Sequence, residues 1–137
     1  MPMMQIYKEF GFEAAHRLPS APENHPNARI HGHSFRVRVT IGGEPDPETG
    51  LIYHFEEFEK ALAAAKRELD HRYLNEVEGL EVPTLERIAQ WIWKRIEGQV
   101  PGLTEVRLSR PSCGEGCILS LAQGSGRSPF EARHERA

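Results

Sequence analysis

Between Ile6 and His16 the even positions carry Ile6, Phe10, Phe12 and Ala14, interrupted by Lys8, while Tyr7, Glu9 and Glu13 fall on the odd ones. Alternation of this kind predicts a half-buried strand. From Ser34 to Ile41 the pattern is cleaner, with Phe35, Val37, Val39 and Ile41 on one face and Ser34, Arg36, Arg38 and Thr40 on the other. A second strand with one covered face follows. The segment "GGEPDPETG", residues 42–50, concentrates Gly, Pro and Asp and predicts a hairpin loop or other long turn. The period then becomes helical, with Phe55, Phe58, Leu62, Ala65 and Leu69 recurring through "FEEFEKALAAAKRELD". "VPTLERIAQWIWKRI" opens a second helix, with Thr84 as its N-cap and Leu85, Ile88, Ile92 and Ile96 on the inner face. "TEVRLS" and "CILSLA" each fit a short strand.

The order strand, strand, helix, helix, strand, strand predicts an α+β fold with both helices on one face of an antiparallel sheet. No repeat or linker divides residues 1–122, which read as a single domain. The polar, Gly- and Ser-rich remainder, residues 123–137, is expected to be a disordered tail.

Composition narrows the function class. A hydrophobic fraction of 39% with 27% charged residues describes a soluble globular chain, and 137 residues suffice for a real core. The net charge of −3 carries no electrostatic footprint for nucleic acid or an acidic membrane, so neither partner is expected. The start "MPMMQIYKEF" lacks the basic head and apolar stretch of a signal peptide, which predicts a cytoplasmic protein. Cys113 and Cys117 are then expected to remain free thiols.

The candidate chemistry lies in histidines. In the stretch "NARIHGHSF", His31 and His33 share the parity of Phe35 through Ile41, and His16 shares that of Phe10, Phe12 and Ala14. Side chains of one parity share a face, so the three imidazoles converge if the first two strands are neighbours. Three neutral imidazoles with an open fourth position form the donor set of a catalytic zinc. Spacing alone leaves a second reading open, in which these are satisfied core or surface histidines.

"FEAAHRLP", "HGHSF", "LDHRYLN" and "PTLERIAQWIW", in this order and at these intervals, resemble the 6-pyruvoyl-tetrahydropterin synthase and 6-carboxytetrahydropterin synthase family, its bacterial queuosine-pathway branch in particular. The resemblance runs from about Tyr7 to Ile118. It implies the tunnelling fold, a four-stranded antiparallel sheet with two helices between the second and third strands. It also implies rings, often hexamers built as a dimer of trimers, with active sites between subunits. By resemblance, His16, His31 and His33 are the ligands of a Zn2+ that acidifies side-chain oxygens of dihydroneopterin triphosphate as a Lewis acid. A cysteine thiolate four residues before the first histidine of H-G-H moves protons, assisted by an Asp-His pair matching Asp70 and His71.

Three positions depart from that pattern. Asn27 stands where the family carries the cysteine, and an amide cannot act as a general base near neutrality. His54 occupies the acidic position of the family's "DF" pair. Arg110 or Pro111, depending on a one-residue gap, stands where a glutamate grips the amino-pyrimidine edge of the pterin; Glu115 lies close by as a substitute. Three functions fit. One is a zinc lyase acting on dihydroneopterin triphosphate or a relative, with His71, His54 or zinc-bound hydroxide as base. Another is an enzyme of the same scaffold on a different substrate, with Arg110 pairing an anionic group. The third is a non-catalytic metal or ligand binder.

Overall fold

The computed structural model describes residues 2–121; the tail expected to be disordered lies outside them. Strand β1 (Gln5–His16) pairs antiparallel with β2 (His31–Gly42), and the register sets Phe12 opposite Phe35 and His16 opposite His31. Helix α1 (Phe55–Leu69) follows, then a two-residue strand β3 (Arg72–Tyr73), helix α2 (Leu85–Glu97), and the hairpin of β4 (Leu103–Arg110) and β5 (Glu115–Ser120). The sheet order is β3-β1-β2-β4-β5.

The sheet therefore has five strands and is mixed, whereas four antiparallel strands were expected: β3 runs parallel to β1. The cause is the edge of β1. Beyond α1 the chain passes Glu13, whose N–H donates to the Asp70 carboxylate at 2.9 Å and whose carbonyl accepts from the His71 amide at 2.6 Å. Backbone polar groups left open on an edge strand need such partners. Arg72 and Tyr73 then fall beside Ala14 and Ala15. Two residues carry no readable period, so the sequence pattern cannot reveal this strand. The last strand starts at Glu115, two residues before the expected "CILSLA", because a turn through Gly114 in the left-handed region sets Glu115 directly opposite Arg110.

Both helices cover the face presented by the odd positions of β2. Phe12, Phe35, Val37, Val39 and Ile41 pack there against Phe58, Leu62 and Leu69 of α1 and Ile88, Ile92 and Ile96 of α2. Phe12 stacks on Phe35 with ring centroids 4.8 Å apart. Full burial of each such side chain contributes about 1.5–3 kcal/mol. The Thr84 hydroxyl caps α2 by accepting from the Arg87 amide. No helix among the described residues is long and apolar enough to cross a membrane.

Candidate metal centre

Where the apolar stripe of β1 and β2 ends, its next members on the same face are His16, His31 and His33. One ring nitrogen from each lies within 4.8 Å of the other two. The ring centroids are 4.5 Å apart for His16 and His31, and 4.8 Å for His31 and His33. The cluster is thus a product of strand parity plus the His16–His31 register.

The backbone fixes how two of these rings face. The His16 Nδ1–H donates to the Pro83 carbonyl at 2.9 Å, just ahead of α2, and the His31 Nδ1–H donates to the Arg29 carbonyl at 2.8 Å. A carbonyl can only accept, so both Nε2 atoms keep a free lone pair. Both are buried and have no hydrogen-bond partner. Two buried, unpartnered lone pairs aimed into one cluster fit a divalent metal, and carbonyl-held imidazoles are the usual outer support of such a site.

Electrostatics favour the neutral rings that a metal requires. Burial pushes the His16 pKa down to about 4, against the partial opposition of the Pro83 bond. Burial also lowers that of His33, with the Arg110 guanidinium adding to the effect. Arg110 closes β4, donates from Nη1 to His33 Nε2 at 3.4 Å, and pairs through Nη2 with Glu115 at 2.7 Å. Of the two residues at this point, Arg110 faces the triad, while Pro111 opens a single exposed 3₁₀ turn.

Asp70 and His71 sit at the end of α1. The Asp70 carboxylate lies 3.1 Å from His71 Nδ1, and the hydrogen bond from the Glu13 amide holds its pKa below the usual carboxylate range. His71 has φ 59°, in the left-handed region that non-glycine residues seldom adopt. A cleft of about 630 Å³ has both His33 and His71 in its wall, together with Glu13, Tyr73 and Ser112.

Two candidates make no hydrogen bond to the triad. Asn27 lies in the 3₁₀ turn Pro26–Ala28, held by its own N–H to His25 Nδ1 and by Leu18 N–H to its carbonyl; neither bond reaches the triad. His54 stands at the N-cap position of α1 without a side-chain capping bond, and at 1.5 Å per residue that helix sets it about 24 Å from Asp70 within one chain. Cys113 is the neighbour that sequence reasoning did not connect with the histidines: its Sγ is 3.9 Å from His33 Nδ1. Only the fold of the β4–β5 turn over β2 brings them together. Cys113 and Cys117 are both free, as expected.

The architecture is an α+β sheet carrying three histidines that could hold a metal ion. Comparison with known proteins is more specific. Residues 5–120 match the family described as 6-pyruvoyl tetrahydropterin synthase, and the chain belongs to that family. It is 45% identical to the 6-carboxy-5,6,7,8-tetrahydropterin synthase of Synechocystis sp., over 77% of this chain and 85% of that protein. It is 37% identical to the dihydroneopterin monophosphate aldolase of Pyrococcus furiosus, over 81% of this chain and 88% of that one. The 6-pyruvoyl tetrahydropterin synthase of Caenorhabditis elegans superposes with a TM-score of 0.76 at 24% identity, covering 89% of this chain and 98% of that chain, a likeness of fold.

Proposed function

We propose that this chain is a zinc-dependent lyase acting on dihydroneopterin triphosphate or a related pterin, with His16, His31 and His33 as the metal ligands. The observation that carries the reading is the pair of buried, unpartnered Nε2 atoms of His16 and His31 in a chain of this family. Both relatives named above act, by their names, on pterin compounds, and one of those names specifies a monophosphate. When bound, the zinc supplies Lewis acidity to a substrate oxygen.

The chain's own groups supply proton transfer. Asp70, ionised at neutral pH, accepts from His71 Nδ1 and so leaves His71 Nε2 as the basic nitrogen on the cleft side. This pair does the work that Asn27 cannot. With His54 at the opposite end of α1 from Asp70, a role for it at the site requires a neighbouring copy, as a dimer of trimers would supply. In the test, zinc-loaded protein is mixed with dihydroneopterin triphosphate and acetaldehyde release is followed. Conversion that disappears in His31→Ala supports the reading; a zinc-containing protein that leaves both this compound and dihydroneopterin monophosphate unchanged overturns it. The second reading, a different anionic substrate on the same scaffold, is favoured by one feature: Arg110 and Glu115 pair where the resemblance expects a lone glutamate.

A further inference from the structure

Arg110 is the most conspicuous charge beside the triad. Its side chain is only 16% exposed, Nη2 is engaged by Glu115, Nη1 leans on His33 Nε2, and Nε is buried without a partner. A guanidinium offers five N–H donors and no acceptor. One of its two contacts here is a ring nitrogen of His33, a member of the triad. With a dication on the triad, Arg110 would face like charge at a largely buried position where water screens poorly. Glu115 balances the guanidinium alone and is half exposed. What this arrangement lacks is a negative, acceptor-rich group between the guanidinium and the histidines.

We propose that Arg110 forms an oxyanion subsite adjoining the His16, His31, His33 triad, so that the ligand of this site carries a phosphate or carboxylate where the guanidinium ends. The inference rests on the reading of the triad as a metal centre and fixes the ligand's orientation in it. Arg110 itself cannot accept the hydrogen bonds of a donor-rich amino-pyrimidine edge, and the nearby Glu115 carboxylate is engaged by its Nη2, so this spot disfavours such an edge. A pterin therefore enters with its anionic substituent, rather than its ring edge, at the end of β4. Arginine suits the task because its planar fork meets two oxygens at once.

Calorimetric titration of the full-length protein, zinc-loaded and chelator-treated, with inorganic phosphate and separately with acetate tests this. Tighter phosphate binding assigns a phosphate ligand, and tighter acetate binding a carboxylate. In either case Arg110→Gln should weaken binding about tenfold, the loss of a charge-assisted hydrogen bond, and Arg110→Lys should restore part of it. Glu115→Gln frees Nη2 and should tighten binding severalfold, a gain that misfolding cannot mimic. Binding of neither probe, or binding indifferent to Arg110→Gln, overturns the subsite. Elemental analysis of the same samples separates the two readings. Zinc present with binding indifferent to Arg110 refutes only the subsite; absent zinc with Arg110-dependent phosphate binding refutes only the metal centre.

Discussion

Acidifying the metal-free protein should destabilise it through His16. Burial lowers this imidazole from 6.5 to about 4, so between those values the unfolded chain binds a proton that the folded chain refuses. Stability is therefore full above the unfolded pKa and is lost as pH falls toward the folded one. The whole shift, at 1.36 kcal/mol per unit, amounts to about 3.4 kcal/mol. Between pH 7 and pH 5, where carboxylates contribute little, integration leaves about 1.8 kcal/mol. His33, lowered by the same cause, adds in the same direction. Urea unfolding of chelator-treated protein at the two pH values reads the difference. His16→Asn supplies the control, since its amide can still donate to the Pro83 carbonyl. The variant should lose about 1.8 kcal/mol of the pH dependence. Equal pH dependence in both proteins would mean that His16 protonates freely in the fold, and the argument from its burial would fail.

Asp70→Asn should lower turnover of dihydroneopterin triphosphate about 100-fold with zinc content unchanged, since it removes the charge that orients His71; unchanged turnover would assign the pair to structure alone. Gly102 has φ 75°, and a Cβ there would run into the Gly42 carbonyl oxygen across the β2–β4 register shift. Gly102→Ala should cost about 1–2 kcal/mol or more in urea unfolding. Gly98, with φ −83° and open space around its Cβ position, should accept alanine with a gain of up to about 1 kcal/mol. Equal effects at the two glycines would contradict the backbone argument.

Much of the triad was legible because strand parity is a local rule: once His31 and His33 share the phase of Phe35, their face is set. Convergence with His16 needed one non-local fact, the pairing of β1 with β2, and the register delivers it. The helices and the Thr84 cap were legible for the same local reasons. What stayed hidden depends on contacts between distant segments. The parallel strand β3 arises from the unsatisfied edge at Glu13, and the approach of Cys113 to His33 from the turn after β4. The left-handed backbone of His71 has no signal in a motif read as the end of a helix. Helix length, by contrast, was readable and already implied that His54 and Asp70 lie at opposite ends of α1. That Arg110 rather than Pro111 contacts His33 could not be read from spacing, because it depends on how the β4–β5 hairpin aligns Arg110 with Glu115 beside β2.

The metal centre itself is tested most directly by elemental analysis of the chain purified without added metal, alongside His16→Ala, His31→Ala and His33→Ala. A zinc ion in each wild-type chain, lost in every one of the three variants, is the predicted result. Wild-type protein that stays metal-free after incubation with zinc and dialysis, or variants that retain it fully, would contradict the assignment.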